Sequence, residues 1–152
     1  MRKLFDRVGS GGGLGRARLG LVLIGLALAA LQAIAADSEQ AGELYSEVQA
    51  ARGESVYQQH CSACHGARLQ GSPAVPLTGD AFRARWEDGR HTLDDLYYII
   101  RSLMPNSAPG SLSKAQYADV VAYILKVNSY PAGAAELVPN AAAMKAVTLR
   151  PH

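Results

Sequence analysis

Apolar positions recur at helical spacing in two stretches of the chain. Leu96, Ile99, Ile100 and Leu103 stand at i, i+3, i+4 and i+7, which puts them on one face of a helix. Tyr117, Val120, Val121, Ile124 and Leu125 repeat the pattern further on. Each stretch comes after a start signal. Thr92 with Asp95 three residues later predicts a helix from Leu93 to Leu103, and Ser113 with Gln116 predicts one from Lys114 to Val127. Ser46 with Gln49 predicts a third, from Glu47 to His60. Glu47, Asp94 and Asp95 lie in first turns, where negative charge favours the helix dipole. Between Gly66 and Thr92 the chain is broken by Gly71, Pro73, Pro76, Gly79 and Gly89, and reads as a long ordered loop. Loops of that length in a compact domain are usually functional or wrapped around something. There is no strong run of alternating Val, Ile and Thr to suggest strands. The pattern predicts an all-α fold of three main helices and long loops.

The N-terminal pattern is of another kind. Arg2, Lys3, Arg7, Arg16 and Arg18 precede an apolar run from Leu19 to Leu31, and the small-residue sequence Ala33, Ile34, Ala35 comes next. Basic, apolar and small-residue regions in that order describe a secretory signal peptide over residues 1–35. The run is short of the ~20 apolar residues of a spanning helix, and Gln32 interrupts its end. An uncleaved membrane anchor is the rival reading. Past the leader, the chain divides into one domain at 36–133 and an Ala-rich C-terminal tail at 134–152, whose docking the sequence leaves open.

Removing the leader changes the charge. The whole chain holds 15 basic and 13 acidic residues. Residues 1–35 account for five of the bases and one acid, so 10 basic and 12 acidic residues remain, a net charge of −2. The basic pI belongs mostly to the leader and offers no argument for binding nucleic acid.

The most specific chemistry lies at Cys61, Ser62, Ala63, Cys64 and His65, the C-x-x-C-H signature of covalent c-type haem attachment. Two thiols three positions apart on a helical turn can each form a thioether to one porphyrin vinyl group, and His65 then supplies an axial nitrogen. This motif uses both cysteines of the chain. A thioredoxin-like redox pair would need a βαβ context. A zinc site would need two more ligands at comparable spacing, whereas His60, His91 and His152 are scattered. Export agrees with the motif, because bacteria complete covalent haem attachment outside the cytoplasm. The apolar stripes alone would make a thin core for a domain of this size, so a single haem c is expected to supply much of it.

His65 leaves one iron position open. Soft thioether sulfur suits low-spin haem iron and raises its potential. Beyond the leader there are two methionines, Met104 and Met144. Met104 closes the second predicted helix and precedes Pro105; Pro105 and Pro109 lack amide donors and force a loop. Thirty-nine positions separate it from His65, ample chain to reach the opposite haem face. Met104 is the expected second ligand and His91 the runner-up. His60 adjoins Cys61 and is expected to be exposed. A core gap-filler is the alternative for Met104.

These residues resemble a class I c-type cytochrome. Gly53, Tyr57, Cys61, Cys64, His65 and Gly66 are similar to the family's N-terminal helix and haem motif, and residues 122–125 to its C-terminal helix. The resemblance implies a close crossing of the two helices, with Gly53 and Tyr57 against the Val121/Tyr123 region. It implies thioethers at Cys61 and Cys64 and axial ligands at His65 and Met104. It also suggests Pro76 as the residue whose carbonyl holds the proximal imidazole, and Trp86 as a propionate contact, with packing beside Phe82 the alternative. Residues from Met104 through Pro131, Ala132 and Gly133 to Leu137 further resemble cytochrome modules that accompany pyrroloquinoline-quinone (PQQ) alcohol and sugar dehydrogenases.

The expectation is a periplasmic electron carrier, not an enzyme. Its donor would be a periplasmic dehydrogenase, of the PQQ class if that resemblance holds, and its acceptor an oxidase or another cytochrome. It would bind no nucleic acid, and would meet the membrane only if the leader is retained. The alternative is a haem enzyme or gas sensor with an open or labile sixth iron position.

Overall fold

The structure, a computed structural model, describes residues 43–151. The expected signal peptide at residues 1–35 and terminal His152 lie outside the described residues. Within them the chain forms helices α1 (Glu47–His60), α2 (Ser62–His65), α3 (Gly79–Trp86), α4 (Leu93–Leu103), α5 (Lys114–Val127) and α6 (Ala141–Lys145), and no strand. The fold is all-α. No helix among these residues is long and apolar enough to cross a membrane.

The three main helices begin where their caps lie. Ser46 Oγ accepts from the Gln49 amide at 3.1 Å. Thr92 and Asp95 form a reciprocal capping box, as do Ser113 and Gln116. Each box satisfies amides that a helix N-terminus otherwise leaves without partners. Helix α3 departs from the expectation of an unbroken loop between Gly66 and Thr92. Phe82 and Trp86, one turn apart, bury one of its faces, and Asp80 sits in its first turn. That i, i+4 aromatic pair outweighs the Gly and Pro residues around it.

Helix α5 is the centre of the domain, with every residue from Tyr117 to Leu125 buried. Its main partner is α1. A Cβ at Gly53 would collide with the Asp119 carbonyl and crowd the Tyr123 Cβ, so glycine is what lets the two backbones approach. One turn later the Tyr57 and Tyr123 rings meet at 5.4 Å between centroids. The crossing therefore falls on Asp119 and Tyr123. Asp119 is buried in this seam, and its carboxylate takes two hydrogen bonds from Arg52, at 3.1 and 3.2 Å.

On α4 the buried stripe is Leu93, Leu96, Tyr97 and Ile100. It is rotated from the expected one, and Leu103 is 54% exposed. Tyr97 takes the inward place because its hydroxyl finds the Lys114 carbonyl at 3.2 Å.

The tail packs on the domain. The Gln49 side chain forms a two-point clamp on Leu137, donating to its carbonyl at 2.9 Å and accepting from its amide at 2.7 Å. Asn140 caps α6, and Met144 and Leu149 are buried. The Leu93 amide donates to the Val147 carbonyl at 2.8 Å, and Thr92 and Thr148 form an isolated antiparallel bridge. The segment thus joins α1 to the start of α4.

Candidate haem-binding site

Cys61 ends α1, and its carbonyl accepts from the amides of Cys64 (3.1 Å) and His65 (3.0 Å). The turn of α2 therefore holds both cysteines and the histidine in one rigid piece. Cys64 is exposed and Cys61 half-buried. Burial, with the neighbouring Cys64 thiol adding to it, pushes the Cys61 thiol up to about 11.

The chain then reverses at Gly66, whose φ of +82° lies in the left-handed region that favours glycine. Buried Tyr57 donates its hydroxyl proton to the Gly66 carbonyl at 2.7 Å. Burial pushes this phenol up to about 12, so it remains a donor throughout the neutral range. The next loop is tied back to the motif. The Gly71 amide donates to the His65 carbonyl at 2.8 Å, Ala74 to Cys64 at 2.9 Å, and Leu77 to Leu69 at 2.8 Å.

These bonds position a carbonyl for the imidazole. His65 is 7% exposed, and its Nδ1 lies 2.8 Å from the Val75 oxygen. The acceptor is Val75, one residue before the expected Pro76. The amides of Ala74 and Leu77 fix the chain on either side, so it is the carbonyl between them that turns inward. With Nδ1 donating to a carbonyl, Nε2 is the basic nitrogen, and it meets no partner among the described residues. Bonding of the other ring nitrogen to a carbonyl is how proteins orient a metal-ligating histidine.

Met104 caps the end of α4, its amide bonded to the Ile100 carbonyl at 3.0 Å. The loop beyond it turns back through Ala108 N to Pro105 O at 2.8 Å. Tyr117, in the first turns of α5, holds both ends of this loop. Its hydroxyl donates to the Met104 carbonyl at 2.7 Å and accepts from the Leu112 amide at 3.3 Å. In the sequence Tyr117 is only one member of an apolar stripe, and nothing in its spacing marks the hydroxyl.

The remaining candidates occupy other settings. His60 is exposed. The His91 Nδ1 and main-chain amide both face the Asp88 carboxylate at 3.0 Å, and the ring meets Trp86 edge-on. Amides of His91 and Arg90 hold the Asp88 carboxyl well below the usual carboxylate range. His91 is thus engaged by its own turn. Trp86 is buried between His91 and the Arg85 guanidinium, which lies 5.1 Å from its ring centroid, and its indole N–H meets no acceptor among the described residues. Met144 is core.

The donor set fits covalently held haem. It offers two thiols on one turn, an imidazole oriented through Nδ1 with Nε2 free, and a thioether on a separately anchored loop. A helical domain built around such a turn is a class I c-type cytochrome. The chain belongs to the family described as cytochrome c oxidase, cbb3-type, subunit III, which matches residues 48–124. It is also similar to the thiosulfate dehydrogenase of Stutzerimonas stutzeri (strain A1501), with 36% identity over 81 residues, 49% of this chain and 26% of that protein. The chain thus spans about a quarter of that relative's length. No solved structure matches it. Family membership implies covalently bound haem c, electron transfer and redox partners.

Proposed function

We propose that the protein is an exported, periplasmic, mono-haem electron carrier. Cys61 and Cys64 form the thioethers, and His65 and Met104 are the axial ligands. The observation that carries this reading is the His65 imidazole, buried and oriented through Val75 beside two cysteines on one turn. When bound, haem c supplies a one-electron couple. The chain orients one ligand through Val75 and anchors the other through Tyr117. With His65 and Met104 both holding the iron, a bound haem would exchange electrons only by outer-sphere transfer, and docking to partners would be weak and transient. The donor is a periplasmic dehydrogenase and the acceptor a terminal oxidase or another cytochrome. Resemblance of the segment ending at Gly133 to modules of quinoprotein systems supports a PQQ-dependent donor.

Optical spectra of the exported protein, oxidised and dithionite-reduced, with and without carbon monoxide, test this reading. A low-spin spectrum with the weak sulfur-to-iron band, indifferent to carbon monoxide, is expected. The similarity to a thiosulfate dehydrogenase favours a second reading, a haem enzyme with a labile sixth position. A high-spin ferric state and rapid carbon monoxide binding would select it.

A further inference from the structure

Tyr117 has no part in the attachment motif, yet its hydroxyl is the contact shared by both ends of the segment that carries Met104. It donates to the carbonyl of Met104 itself and accepts from the amide of Leu112, eight residues on. The ring is 1% exposed and sits on α5, the most buried helix of the domain. Its position is therefore set by the core and not by the loop. The other contacts of the segment are weaker or more local: the Met104 amide stays on the Ile100 carbonyl of its own helix at 3.0 Å, and Ser111 bonds to Ala108 at 3.3 Å. The Gly110 amide reaches the Met104 carbonyl at only 3.4 Å, Ala108 bonds within the turn, and Tyr97 meets Lys114 beyond its far end.

We propose that Tyr117 is a positioning residue that holds the Met104 thioether at its iron-ligating place by fixing the backbone of Met104 and closing the loop on itself. The inference rests on Met104 being the sixth ligand. A methionine-to-iron bond is weak enough that exogenous ligands compete with it, so the freedom of the loop sets how readily they enter. Removing the hydroxyl leaves the ring and its packing, and leaves the Met104 amide on the Ile100 carbonyl, but takes away the tie from α5 to both ends of the loop. The visible result is a looser sulfur bond in an otherwise intact domain.

The test compares Tyr117→Phe with Tyr45→Phe in the haem-loaded protein. Tyr45 is equally buried and also donates to a backbone carbonyl at 2.7 Å, that of Tyr130, but makes no hydrogen bond to either ligand segment. Cyanide affinity of the ferric protein and intensity of the sulfur-to-iron band are measured in both. In Tyr117→Phe, cyanide affinity should rise by roughly threefold to tenfold, the factor one hydrogen bond is worth, and the band should weaken. Tyr45→Phe should match the unaltered protein in both. If the two variants respond alike, Tyr117 is merely structural and the proposal fails. Should Tyr117→Phe not fold, 4-aminophenylalanine at position 117, a weaker donor, takes its place. A shift in the same direction then supports the proposal, and unchanged cyanide affinity overturns it. Met104→Ala separates the two inferences. If it keeps the band and the parent's cyanide affinity, Met104 is not the ligand, and that failure is independent of how Tyr117 behaves.

Discussion

The two segments that present the candidate ligands are held in opposite ways. The histidine arm is secured from its own neighbourhood. His65, Gly66, Cys64 and Leu69 are bonded to residues within ten positions in sequence, and so is the imidazole itself. The methionine arm leaves the end of α4, where the Met104 amide keeps its helical bond, and beyond that it is tied to a different helix through Tyr117. Local bonds form wherever the turn forms, whereas the bonds from α5 exist only once α4 and α5 are docked. A domain built this way can free one candidate-ligand segment without disturbing the other. Both arms stand on the same seam between α1 and α5.

The strongest way to break that comparison is to remove the shared foundation. In Gly53→Ala the new methyl group meets the backbone of α5 at Asp119, which cannot move aside. A loss of about 3 kcal/mol is expected from such overpacking, read as a fall in the urea midpoint, with both arms loosened together. A variant as stable as the parent would mean that the helices do not cross here.

Tyr57→Phe acts on the histidine arm alone. It removes one of the two donors to the buried Gly66 carbonyl, which keeps the Leu69 amide at 3.1 Å, at a cost of about 1 kcal/mol. Carbon monoxide should still fail to bind. Binding in this variant would show the arms to be coupled.

Thr92→Ala acts at the far end of the helix that delivers Met104. It removes one half of a reciprocal capping box, worth about 1 kcal/mol. Thermal unfolding should detect it, and the attachment of haem at Cys61 and Cys64 should be unaffected.

Asp88→Asn gives the smallest effect, one that depends on pH. The Asp88 carboxyl is held well below its usual range by the amides of His91 and Arg90. Its contribution is therefore fully present above the ordinary aspartate pKa of about 3.9, and is lost as pH falls below that toward its lowered folded value. The variant should be less stable than the parent at neutral pH and approach it in strong acid. Urea midpoints at several pH values would show the two curves converging, and a constant gap would count against the Asp88 turn.

The same division between local and remote bonds explains what the sequence makes legible. Helices α1, α4 and α5 begin at Ser46, Thr92 and Ser113, because a cap and its partner lie three residues apart. The attachment turn is legible for the same reason. Helix α3 is harder to see, because Phe82 and Trp86 mark only a single turn among glycines and prolines. The choice of Val75 over Pro76 rests on which carbonyl the bonded amides of Ala74 and Leu77 leave free to turn inward. Burial of Met144 and Leu149 depends on the start of α4, more than forty positions away in sequence. The hydroxyl of Tyr117 has a role only after two helices have docked. What the residues cannot announce locally is what tertiary contact decides.

At the edge of the domain, the Gly133 amide donates to the Tyr45 carbonyl at 2.7 Å, and Ser46 and Gly133 form an isolated parallel bridge. The stretch between them holds the attachment turn, Met104 and both helices of the central seam, so its two borders touch. A unit whose borders touch can be spliced into a longer polypeptide, or repeated along one, without stretching what lies on either side. Modularity of this kind comes from a few bonds between the two borders, the Tyr45 hydroxyl on the Tyr130 carbonyl among them, and it gives a physical reason why such a domain can occupy only a fraction of a larger protein.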